Sequence, residues 1–227
     1  MLIAGFLPES FVDWRGKVVA TVFTHGCNFR CPFCHNYALV KEKPRATLAP
    51  DTVLESIASM KDWIDGVCIT GGEPTIHGDI VDFVKELSKI VPVKLDTNGS
   101  QPEILSSLLP YLEYVAMDVK APPERYKEMA GVTVKIETVE KSIKIIMTHA
   151  KDYEFRTTYV PLLKKEDIEN IAQWIAGAKR YVIQQFSTTG GTLDPKISQL
   201  VPHSKEYLHD TCKSISSRLE ECIIANV

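Results

Sequence analysis

Short apolar runs alternate along this chain with longer stretches of mixed polarity. Val18 to Phe23, Val67 to Thr70, Val93 to Asp96, Tyr114 to Val119, Tyr153 to Val160 and Tyr181 to Phe186 are rich in valine, isoleucine and aromatic residues, the composition of buried strands. Helical patterns lie between them. Ile80, Phe83, Val84, Leu87 and Ile90 recur at steps of three and four, as one apolar helix face requires, and Val139, Ile143, Ile146 and Met147 repeat the pattern. Shorter helices are predicted over 52–61, 103–109 and 166–177, with Pro50 and Pro102 suited to helix starts and Pro110 to a stop.

Six strand-helix units in a row predict an α/β protein with a parallel sheet and right-handed crossovers, either curled into a barrel or left flat and doubly wound. Both architectures place a site at the carboxyl ends of the strands. With 227 residues, 44% of them hydrophobic, the chain can bury one sizeable core, and a single domain over 1–227 is expected. Residues 1–17 lead in, 18–186 carry the six units, and 187–227 form a turn-rich linker and a C-terminal helix. Leu208, Cys212, Ile215, Leu219, Cys222 and Ile223 are expected on one buried stripe of that helix, and Cys68 as a small core residue. A formal charge of -3 gives no general electrostatic reason to expect nucleic acid. No run approaches the ~18 apolar residues of a membrane-spanning helix, so a soluble cytoplasmic protein without membrane partners is expected.

The candidate chemistry concentrates at the strand ends. Cys27, Cys31 and Cys34 fall within eight residues after the first strand, and soft thiolates this close select an iron-sulfur cluster or zinc. Three ligands leave a metal one open position, where a substrate can bind directly. A structural zinc site with His35 as fourth ligand, in a binding module, is the alternative, although turning the neighbours Cys34 and His35 onto one ion is awkward. Gly71-Gly72-Glu73 follows the second strand, where two glycines permit close backbone approach and Glu73 adds a carboxylate. Asp96-Thr97-Asn98 ends the third strand, and Asp118 and Lys120 end the fourth. Arg156 is the one charge in the run Phe155 to Pro161 of the fifth strand and needs an anionic partner, either Glu73 or another carboxylate in a salt bridge at the barrel rim.

The string Cys27-x3-Cys31-x-Phe33-Cys34 resembles the signature of the radical S-adenosylmethionine enzymes. The resemblance implies a [4Fe-4S] cluster on Cys27, Cys31 and Cys34, with S-adenosyl-L-methionine on the open iron. It places Phe33 and His35 along the adenine and gives the amino group to Gly71, Gly72 and Glu73. It also implies a monovalent cation held by Asp96 and Asp118 beside the cosubstrate. Lys120 would contact the cosubstrate carboxylate, as Arg156 would if Glu73 is not its partner. Thr97, Asn98 and Gln185 complete the expected cosubstrate site. The implied fold is an open partial (β/α)6 TIM-like barrel with a C-terminal helix.

The strings 10–17, 24–36 and 184–186 are most similar to the activating proteins of anaerobic ribonucleoside-triphosphate reductase, within the glycyl-radical activase group. Trp14-Arg15 departs from the aromatic-Pro pair common there. This similarity implies an oxidoreductase that cleaves its cosubstrate reductively to a 5'-deoxyadenosyl radical and leaves a glycyl radical on a partner enzyme. The electron would come from a ferredoxin or flavodoxin. A small-molecule enzyme like the 7-carboxy-7-deazaguanine synthases shares the cluster string, but His35-Asn36 speaks against it.

Overall fold

The computed structural model describes residues 1–41 and 47–226. Eight strands among them form one sheet in chain order: β1 (Ile3–Ser10), β2 (Val19–Thr24), β3 (Gly66–Gly71), β4 (Val93–Thr97), β5 (Tyr114–Asp118), β6 (Tyr153–Tyr159), β7 (Arg180–Gln185) and β8 (Glu221–Ala225). The six expected strands are β2 to β7, each parallel to the next. The sheet does not close, so β1 and β8 are its two edges. Helices α1 (Tyr37–Lys41), α2 (Pro50–Met60), α3 (Ile80–Ser88), α4 (Pro102–Leu108), α5 (Tyr126–Ala130), α6 (Ile136–His149), α7 (Lys165–Trp174) and α8 (Lys205–Ile215) supply the crossovers and outer layer.

The predicted stripes are the buried ones. Ile80, Phe83, Val84 and Leu87 of α3 and Val139, Ile143 and Ile146 of α6 all lie in the core, each such side chain contributing roughly 1.5–3 kcal/mol by leaving water. Two edge strands correct the sequence reading. Residues 3–10 form β1, antiparallel to β2, with register shifts at both ends, and an edge strand accommodates Pro8 because its missing N–H need not serve a second neighbour.

At the other end the helix stops at Ile215, and residues 221–225 pair with β7 instead of extending the stripe. Without β8 the outer edge of β7 would be left with unpaired backbone groups, and β-branched Ile223 and Ile224 suit a strand there. Cys212 and Cys222, expected on one helical face, form a disulfide joining α8 to β8. Cys68 is fully buried as expected.

Trp14 is also buried. Packed with Val19, Cys68 and Tyr114, and within van der Waals range of Gly66 at the start of β3, it plugs the amino-terminal end of the barrel. No helix among the described residues is long and apolar enough to cross a membrane.

Candidate active site

The cysteine loop leaves β2 and is held from three sides by main-chain hydrogen bonds. Gly26 N–H donates to Leu39 (2.8 Å), Arg30 N–H to Ala130 at the end of α5 (2.8 Å), and the linker returns with Leu193 N–H to Cys34 (3.1 Å) and Asp194 N–H to Pro32 (2.9 Å). The linker therefore forms one rim of the site. Gly131 caps α5 with a φ of +68°, and a Cβ there would lie 2.0 Å from the Arg30 carbonyl oxygen. That contact has no local sequence signature, because the two residues meet only when α5 docks.

The Gly-Gly-Glu turn seals the same loop from the β3 side. Gly72 N–H donates to Thr24 (2.9 Å) and Glu73 N–H to Gly26 (2.8 Å). A Cβ on Gly72 would come 1.8 Å from the Gly26 carbonyl oxygen, so this position needs glycine for close approach. Asn36 adds a side-chain donor to the Gly71 carbonyl at 3.2 Å.

Glu73 is 1% exposed and turned inward. One carboxylate oxygen accepts from Thr75 N–H (3.1 Å), the Thr75 hydroxyl and the Thr97 hydroxyl (2.7 Å), and the other from Asn98 N–H (2.6 Å). Burial pushes its carboxyl up, against the pull of these donors. Glu73 thus joins the β3 turn to the end of β4, and Arg156 does not use it as a partner.

Arg156 pairs instead with the two aspartates. Its Nε donates to Asp118 (2.9 Å) and its Nη1 to Asp96 (3.1 Å), while Lys120 binds the other Asp118 oxygen at 2.8 Å. Burial opposes charge on Asp118, yet Arg156 and Lys120 outweigh it and bring the carboxyl down to about 2. Lys94, which the sequence reading missed, lies behind this group and binds Asp96 at 2.7 Å. The signal was present: Lys94 stands two residues before Asp96 in β4, so strand alternation puts both on one face.

Cys27, Cys31 and Cys34 line one cavity of about 370 Å³ together with Phe33, His35, Gly71, Gly72, Glu73, Asp96, Thr97, Asn98, Asp118, Lys120 and Arg156. The volume falls within the range of small-molecule sites, about 300–1,000 Å³. Fourteen of the fifteen sequence-predicted residues therefore meet here. Gln185 does not: Gln184 faces this cavity, while Gln185 bonds the Phe186 and His203 carbonyls and lines a smaller adjoining one. Strand alternation gives the two neighbours different faces. His35 is fixed at the rim by a 2.7 Å bond between Nε2 and the Ser187 carbonyl and by stacking on Phe186.

Residues 21–207 match the Radical SAM superfamily. The chain belongs to this superfamily. Along its full length it is 32% identical to a provisionally named glycyl-radical enzyme activating enzyme of Methanocaldococcus jannaschii, covering 96% of that protein. It is also 26% identical to the 7-carboxy-7-deazaguanine synthase of Halobacterium salinarum, over 85% of this chain and 80% of that one. Among solved structures, SuiB of Streptococcus suis bound to the precursor peptide SuiA superposes with a TM-score of 0.70 at 18% identity, over 88% of this chain and 47% of that one; this likeness is one of fold.

Radical SAM enzymes use a [4Fe-4S] cluster and S-adenosylmethionine, and the residues present fit both. The donor set is three thiols on one cavity wall, soft ligands suited to iron-sulfur chemistry. No group of three or more His, Cys, Asp or Glu side chains among the described residues is arranged to hold a single metal ion. His35, the fourth ligand of the zinc alternative, instead has its Nε2 bonded to the Ser187 carbonyl and its ring stacked on Phe186. Burial pushes the Cys27 thiol up to about 11 and the Cys31 thiol up to about 12, so cluster binding to these thiols would be accompanied by proton release.

Proposed function

We propose that this radical SAM enzyme is a glycyl-radical-enzyme activase, with anaerobic ribonucleotide reductase as its partner. The similarity to the Methanocaldococcus jannaschii activating enzyme, which spans both chains almost completely, carries the activase part of this reading, and the strings 10–17, 24–36 and 184–186 support the choice of partner. The Cys34-His35-Asn36 string supports it. When bound, the cluster and S-adenosylmethionine supply a one-electron reductive cleavage that yields a 5'-deoxyadenosyl radical able to abstract hydrogen from a glycine Cα.

The chain's own residues hold, orient and exclude water. Cys27, Cys31 and Cys34 bind the cluster; Phe33 and His35 flank the adenine; the Gly71-Gly72-Glu73 turn takes the amino end; Thr97 and Asn98 form the floor; and Lys120 and Arg156 face the carboxylate. A ferredoxin or flavodoxin supplies the electron in the cytoplasm. The unclosed side of the sheet admits a peptide. Val12, 87% exposed, lines the cavity at that side, and its neighbour Phe11, 67% exposed, borders the adjoining one. Placing the glycine within about 3–3.5 Å of the reacting carbon is where much of the rate arises.

The 26% identical 7-carboxy-7-deazaguanine synthase motivates a second reading, a small-molecule substrate. One experiment separates them. The reduced, cluster-loaded enzyme with S-adenosylmethionine and its glycyl-radical partner should give a glycine-centred doublet in electron paramagnetic resonance, absent when that glycine is alanine. Efficient turnover of a free nucleotide or pterin, with no radical on any glycyl-radical enzyme encoded nearby, would reject the activase reading.

A further inference from the structure

Asp96 and Asp118 end adjacent parallel strands, β4 and β5, and both face the cavity. Two carboxylates so placed repel each other unless positive charge stands between them. The family resemblance fills that need with a monovalent metal cation. The structure fills it differently. Arg156, on the neighbouring β6, bridges the pair through Nε and Nη1. Lys94 takes the remaining Asp96 oxygen and Lys120 the remaining Asp118 oxygen.

All four carboxylate oxygens thus face a cationic side chain. A hard metal cation needs several oxygen ligands, and one inserted here would meet a guanidinium and two ammonium groups. The arrangement is also braced from behind. Lys94 is 3% exposed, and its Nζ donates in addition to the Asp13 carbonyl at 2.5 Å, so it cannot swing away without abandoning a buried charge. It lies outside the wall of the cysteine-lined cavity and acts through Asp96, as a positioning residue. The next carboxylate inward on β6, Glu154, accepts from the Tyr114 hydroxyl at 2.9 Å, and Asp13 accepts from the Thr21 hydroxyl at 2.7 Å. In the direct ion pairs, three cations face two carboxylates, leaving one positive charge over. A bound S-adenosylmethionine would bring an α-carboxylate to balance it.

We infer that Arg156, braced by Lys94, is the built-in cation of the cosubstrate site, so that S-adenosylmethionine binds without Na⁺ or K⁺. A guanidinium suits the task because its planar fork reaches two carboxylates at once with fixed geometry. Placing the charge on the chain also makes cosubstrate affinity independent of the cation supply, provided ionic strength is constant.

The test is equilibrium dialysis of S-adenosylmethionine against the cluster-loaded protein in KCl, NaCl and choline chloride at equal ionic strength. The wild-type dissociation constants should agree within threefold across the three salts. Arg156→Gln should bind at least tenfold more weakly in choline and recover part of the loss in NaCl or KCl, as a small cation occupies the vacated place. Sodium-23 relaxation should then respond to cosubstrate in Arg156→Gln and not in the wild type. Wild-type binding that weakens threefold or more in choline would overturn the inference, whether or not the variant folds. So would a folded Arg156→Gln with wild-type affinity in choline.

Discussion

Asn98 donates its main-chain N–H to the Glu73 carboxylate at 2.6 Å, across a sequence separation of 25 residues. This bond joins the Gly-Gly-Glu turn after β3 to the Thr97-Asn98 end of β4. The adjoining Asn98 side chain reaches the cysteine loop through Asn28 at 2.9 Å. Three motifs far apart in sequence therefore share one polar frame.

Glu73→Gln tests that frame. An amide retains one acceptor but turns its NH₂ toward one of the buried donors that a carboxylate satisfies. Leaving one such donor unmet costs about 1–3 kcal/mol. Urea unfolding of the cluster-free protein should show a loss of that size; an unchanged midpoint would show that Glu73 does not hold the turn to β4.

Asp118 governs an acid-side loss of stability. Burial disfavours its charge, but Arg156 and Lys120 prevail and depress its carboxyl to about 2. A depressed carboxylate contributes stability that is complete above its unfolded pKa of about 4 and lost as pH falls from there through about 2. The contribution is on the order of 2 kcal/mol. The stability gap between the cluster-free wild type and Asp118→Asn, measured in urea, should be constant from pH 7 to 5 and narrow by pH 3. A gap independent of pH would contradict the ion-pair assignment.

Gly72→Ala places a methyl against the Gly26 carbonyl oxygen, whereas a Cβ on Gly78, six residues on, meets nothing within 4 Å. Overpacking of this kind costs about 1–3 kcal/mol, and here the yielding element is the cysteine loop. Anaerobic reconstitution of Gly72→Ala should give well below the ~4 irons per chain of a cubane. Gly78→Ala should load normally and stay within about 0.5 kcal/mol of wild type. Equal iron content in both variants would separate the turn from the cluster.

Much of this protein was legible in its sequence because the signals are local. The strands β2 to β7 carry their own apolar composition, the α3 and α6 stripes follow the 3.6-residue period, and the cysteine spacing concentrates three soft ligands on one loop. Strand-end positions for Gly72, Asp96 and Asp118 then follow from the alternation of strands and helices, since a parallel sheet directs those ends to one face.

Pairing and side-chain direction were decided by tertiary structure alone. Nothing local tells Leu219 and Ile223 to leave a helical stripe; the free edge of β7 does, by offering backbone partners. Gln184 and Gln185 are chemically identical, and only the strand's register selects which one faces the cysteine-lined cavity. Arg156 announces an anionic partner without naming it, and the choice of Asp96 and Asp118 over Glu73 comes from where β4, β5 and β6 lie side by side. Glu73 is removed from that competition by the four donors already around it. Local composition determines which elements form and which charges need partners. The contacts between elements decide which partners they receive, because those depend on distances that exist only after the sheet has assembled.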